Sequence, residues 1–198
     1  MRRIKKIATI FVGLTVFATV GIAPAYANFV THVSTYCDYE RVCLADSAAH
    51  DWGAATGPRM TSAIEWTLDG SYDTTALSIS GPKSHSTTVD VWYKFDTDTA
   101  LPANVYGRYT CQAWQGLVCD HSHILLNSDE IASWSDDWLQ RLACHETGHS
   151  VGLTHPNVDP DGDPNLSISE NYRCMSLGFP GPNLLGPHNV SHINAYYG

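Results

Sequence analysis

The chain has 198 residues with 11 Lys and Arg against 20 Asp and Glu, a net charge of −9. That balance argues against nucleic acid or an anionic membrane surface as partners. All four basic residues of the first 27 lie at Arg2, Arg3, Lys5 and Lys6, ahead of any acid, so removal of that segment deepens the charge to −13.

That first segment reads as a secretory leader. Its basic start is followed by an apolar run from Ile7 to Ile22 and by Ala25-Tyr26-Ala27, a small-x-small cleavage site. The apolar run is short for a membrane span. The expectation is a signal peptide at 1–27, a single catalytic domain at 28–198, and a secreted, monomeric product without stable membrane association. Six cysteines, all after residue 27, suit an oxidising compartment. Local spacing favours Cys37–Cys43 and Cys111–Cys119, although six cysteines allow fifteen pairings.

Along the chain, 57–69 reads as a helix, with Pro58 in its first turn and Met60, Ile64 and Leu68 recurring every four residues. Val89, Val91, Tyr93 and Phe95 alternate as a strand, 105–114 is a weaker one, and 123–127 is a short apolar third. A long helix starts near Ser133 or Ser135, with Trp134, Trp138 and Leu142 on one stripe. Turn-rich sequence follows to about residue 187, and 187–198 closes as a helix with Val190, Ile193 and Tyr197 on one side. The class is α+β with a mixed sheet.

The chemistry is concentrated in Cys144–His155, "CHETGHSVGLTH". One helical turn separates His145 from His149, so their rings share a face and can converge on a metal. Glu146 lies about 100° around the axis, where it can hold a water without ligating. His155, about 15 Å further along a continued helix, reaches the same ion only if the helix ends. Gly152 permits that ending, because a residue without Cβ adopts the left-handed conformation cheaply. Three imidazoles leave the fourth zinc position to water, the open arrangement of a catalytic site.

His145, Glu146, His149, Gly152 and His155 form the pattern H-E-x-x-H-x-x-G-x-x-H, and the sequence here resembles the metzincin zinc proteases. The resemblance implies a metzincin-like zincin with a twisted mixed sheet, an active-site helix, a C-terminal helix and a methionine turn below the metal. Met175 is the methionine placed for that turn. If the turn underlies the zinc, Cys144 and Cys174, which precede His145 and Met175, come near enough to bond. "SAIEWTLDG", "HILLNSDEI" and "LLGPHNVSHINAYYG" are similar to the matrixin-like branch. Carried over, this makes Ile124, Leu125, Leu126 and Asn127 the edge strand that receives substrate, and 176–182 a pocket wall. The cysteine-switch propeptide and the histidine-and-aspartate loop of that branch are not matched, nor is the extra tyrosine ligand of astacins and serralysins.

The implied activity is peptide-bond hydrolysis on protein or peptide substrates, with one catalytic Zn2+ and Glu146 as general base. Two rivals are a zinc amidase acting on cell wall and a secreted zinc-containing binding protein without turnover. Asp159, Asp161, Asp163 and Glu170 fall at the first, third, fifth and twelfth positions of a calcium loop, but Pro164 replaces its glycine. Calcium there competes with a plain acidic turn. Asp120, His121 and His123 offer a second metal set, against the reading of surface histidines at a strand entry.

Overall fold

In the computed structural model, residues 49–86, 89–95, 101–115, 118–155, 173–176 and 183–198 are described. The expected leader, Cys37, Cys43, the calcium-loop residues Asp159, Asp161, Asp163 and Glu170, and 177–182 of the expected pocket wall lie outside them.

β1 (Ala49–Ala55) opens the described fold and runs into α1 (Pro58–Thr67). Pro58 fits the first helical position, where a missing N–H costs no hydrogen bond. Met60, Ile64 and Leu68 are all buried, as their spacing of four requires for a helix facing one core. The helix widens into a π-helical turn at Leu68–Tyr72, which brings Tyr72 fully inside. β2 (Ser78–Ser80) then returns parallel to β1, pairing Ala49–Asp51 with Ser78–Ser80.

β3 (Val91–Phe95), β4 (Gly107–Gln115) and β5 (Val118–Leu126) complete the sheet in the order β2-β1-β3-β5-β4. β3 pairs in parallel with β1 and with β5, and β4 pairs antiparallel with β5. Cys111 and Cys119 are disulfide-bonded across the β4–β5 hairpin, beside register shifts at Cys111–Ala113 and Ala113–Trp114. One face of the sheet supplies Tyr93, Ile124 and Leu126 to the core, where they meet α1 and α3 (Asp136–Ser150). Short α2 (Ser128–Ile131) precedes α3, and α4 (Pro187–Tyr197) closes the chain.

The mixed α+β class agrees with the sequence reading, and three local expectations need correction. β1 and β2 were not expected: "AHDWGAA" has no clean alternation and β2 is only three residues long. Ser135, not Ser133, stands at the N-cap of α3. Trp138 shares the register of Leu142 but remains 36% exposed, stacked edge-on against Trp134, so the core stripe of α3 is carried by Leu139, Leu142 and Ala143.

The third of these sequence-derived strands brings the largest correction. Ile124–Leu126 lie on β5, which is internal to the sheet. Leu125 pairs with Lys94 on one side and Arg108 on the other, and Leu126 with Phe95 and Gly107. Asn127 follows the strand, accepting the Glu130 N–H at the start of α2 and donating to the Val105 carbonyl. Residues 124–127 therefore have no free backbone edge for a substrate. Among the described strands the edges are β2 and β4, and β4 is the one that runs beside Glu146.

Candidate metal centre

α3 carries His145, Glu146 and His149 and ends at Val151. Gly152 then takes φ +92°, as the sequence reading requires. Backbone bonds from Gly152 N–H to the His149 carbonyl (3.2 Å) and from Leu153 N–H to the Gly148 carbonyl (2.9 Å) fold the chain back. His155 is thereby returned to the ring pair, with its Nε2 2.9 Å from His145 Nε2, while His149 Nε2 is 3.2 Å from the same atom.

The proton positions make this a metal set. His145 Nδ1 faces the Cys174 carbonyl and His149 Nδ1 the Leu153 carbonyl, each at 2.8 Å. A carbonyl only accepts, so each Nδ1 bears the ring proton and each Nε2 presents a bare lone pair. Lone pairs turned towards one another repel until a cation lies between them. Backbone acceptors behind the rings are also the usual means of orienting metal-bound histidine. Burial and neighbouring imidazoles push His145 well below the ordinary histidine range and bring His149 down to about 4, while burial alone lowers His155. Neutral rings are the form that ligates. The residues present fit a zinc ion.

Beneath the rings, Met175 is completely buried. A Cβ on Gly148 would land on its Sδ and lie 3.2 Å from the Tyr72 hydroxyl, so α3 can rest on the methionine only because residue 148 lacks a side chain. Cys144 and Cys174 are bonded, and the His145 ring donates to the carbonyl of the same Cys174. Buried Arg141 donates to the carbonyls of Arg173 (3.3 Å) and Ser176 (2.9 Å) at the two ends of the turn. Tyr72 donates to the Cys144 carbonyl at 2.7 Å, and Tyr93 and Thr147 share a hydroxyl hydrogen bond of 2.7 Å. Sequence reasoning did not single out Arg141, Gly148, Tyr72 or Tyr93. A basic residue on the apolar side of α3 was the one available signal, for Arg141.

Glu146 is 5% exposed, and burial pushes its carboxyl up to about 8 although the Tyr109 N–H donates to it. Gly107, the first residue of β4, lies against it: a Cβ there would come within 2.6 Å of Glu146 Oε1. The carboxylate thus sits between the active-site helix and the free strand of the sheet. Of the other expected residues, His121 and His123 are near each other on β5, whereas Asp120 stands at a register irregularity of the β4–β5 pair and is not grouped with them.

No family model matches the sequence, and no curated protein matches it. Among solved structures, the chain is similar to one described as the structure of myroilysin, with a TM-score of 0.52 and 14% identity over 78% of this chain and 95% of that one. A crystal structure of myroilysin matches with a TM-score of 0.48 and 12% identity, over 88% of this chain and 96% of that one. At 14% identity the first likeness is one of fold alone.

Proposed function

We propose that the chain is a secreted zinc endopeptidase of metzincin type, in the matrixin-like branch. The observation carrying this reading is the convergence of the His145, His149 and His155 Nε2 atoms beside the buried carboxyl of Glu146. Zinc, when bound, supplies polarisation of the scissile carbonyl and a water whose pKa falls to about 7. Glu146 orients the attacking water, takes its proton, and returns it to the departing amine. Beside a zinc ion held by the three rings, the proton affinity that burial gives Glu146 would fall, leaving its carboxylate ionised to accept the proton.

The substrate lies extended along the free edge of β4, in place of the 124–127 edge read from the sequence, and pairs by backbone hydrogen bonds. Gly107 keeps the start of that edge clear beside Glu146. Residues 176–182 wall the pocket beyond the cut. Two disulfides, and no described helix long and apolar enough to cross a membrane, accord with secretion through the 1–27 leader. A monomeric state is part of the proposal, while calcium at Asp159, Asp161, Asp163 and Glu170, outside the described residues, stays second to a plain acidic turn.

Casein cleavage by wild type and by Glu146→Gln, each with and without chelator, tests the reading. The variant is expected to keep its zinc and to lose activity by about 10²–10⁴-fold. Full cleavage by the variant removes Glu146 from the mechanism, and chelator-resistant cleavage removes the metal. Digestion of cell wall without cleavage of casein would move the reading to the amidase.

A further inference from the structure

We propose that a second divalent metal ion binds on the outer face of the sheet, held by His85, His121 and His123. One ligating nitrogen from each ring lies within 4.8 Å of the other two. His121 and His123 stand two apart on β5, so they share the face opposite Ile124 and Leu126. His85 comes from the connection between β2 and β3, which crosses that face. Lys83 N–H donates to the Trp52 carbonyl of β1 at 2.7 Å, and His85 packs at a tilt of 57° against Trp92 of β3 with centroids 4.5 Å apart. Gly53 allows the crossing, since a Cβ there would meet the Trp92 ring and come within 2.5 Å of the Lys83 carbonyl.

The proton logic of the first centre recurs here. His121 is 5% exposed, and its Nδ1 faces the Val89 carbonyl, which fixes the proton on Nδ1. Its bare Nε2 is 3.1 Å from His123 Nε2. A backbone carbonyl behind one ring and two nitrogens meeting in front is the arrangement seen at His145 and His149. Three imidazoles select a late first-row divalent ion, zinc being the probe of choice in an extracellular setting. The set contains no aspartate and draws on the connection before β3, so it is not the histidine-and-aspartate loop of the matrixin-like branch. Bound there, the ion ties the crossing segment to β5. The nearby Lys94 charge opposes a cation, so this ion is held less tightly than the first.

The test is zinc stoichiometry. Chelator-stripped wild type, His145→Ala/His149→Ala and His121→Ala/His123→Ala proteins are reloaded with zinc, freed of excess by gel filtration, and checked for folding by circular dichroism. Expected contents are about two, one and one ions per chain. One ion in wild type that a folded His145→Ala/His149→Ala protein loses overturns the second site. Because His121 is buried and its removal can unfold the sheet, His85→Ala, which removes an exposed ring, provides an independent arm. Under a competing chelator its second ion is expected to bind at least about tenfold more weakly. Unchanged binding overturns the proposal. Failure of the first centre gives a different pattern, one ion in wild type that His145→Ala/His149→Ala keeps and His121→Ala/His123→Ala loses.

Discussion

The two histidine clusters use similar parts to different ends. At 145–155 the rings stand beside a buried carboxylate and the free edge of β4, above a floor held by a disulfide and a buried guanidinium. At 85–123 the neighbours are Trp92 and a lysine, and the rings join a crossing segment to a strand. Three imidazoles make a place for a metal. Whether that place does chemistry depends on what stands next to it: Glu146 can accept a proton, and Lys94 cannot serve that role while charged.

The comparison breaks most sharply at Gly107. Gly107→Val sends a side chain into Glu146, and loss of the aligned general base is expected to lower casein cleavage by about 10²-fold or more with zinc content unchanged. Activity near wild type would show that the carboxylate position does not separate the two clusters. Next is the floor. Cys144→Ala/Cys174→Ala is expected to lose about 2–4 kcal/mol in denaturant unfolding and to weaken zinc retention at the first centre only. Gly148→Ala presses on Met175, and overpacking of this kind is expected to cost about 1–3 kcal/mol by the same measurement.

The smallest effect is in the pH profile of the metal-free protein. His149 is down to about 4 in the fold, against an ordinary value near 6.5, and His145 and His155 are lowered too. The unfolded chain therefore binds more protons below about pH 6.5, and stability falls as pH drops from there towards 4. Glu146 acts oppositely: the fold keeps its proton up to about pH 8 while the unfolded chain releases it near 4.5, so stability falls as pH rises across that window. With four lowered histidines, His123 among them, against one raised glutamate, thermal unfolding in chelator should show its highest midpoint near pH 6–7. A midpoint climbing steadily to pH 8 would mean that Glu146 is not buried as described.

What could be read from the sequence was whatever depends on local period. His145 and His149 share a face because helices repeat every 3.6 residues, and Gly152 is required because a straight helix carries His155 away. Neighbourhood in a sheet has no such local record. Residues 124–127 read as a short apolar run that suits an edge or an internal strand alike, and only the arrival of β4 on its far side makes it internal. The second cluster was half visible for the same reason: His121 and His123 are two apart, while His85 is brought to them by a connection that crosses two strands. Arg141 and Gly148 serve a turn at 173–176, and nothing in α3 alone announces that partner.

Cys144 and Cys174 adjoin a zinc-ligating position and the buried methionine in turn, so the covalent closure of this chain is built into the platform on which its ligands rest. In a reducing cytosol those sulfurs stay apart, and the platform is loose at the point where the first imidazole takes its carbonyl support. On the proposed reading, export would act as a latch that closes the platform under the metal only where the surroundings are oxidising.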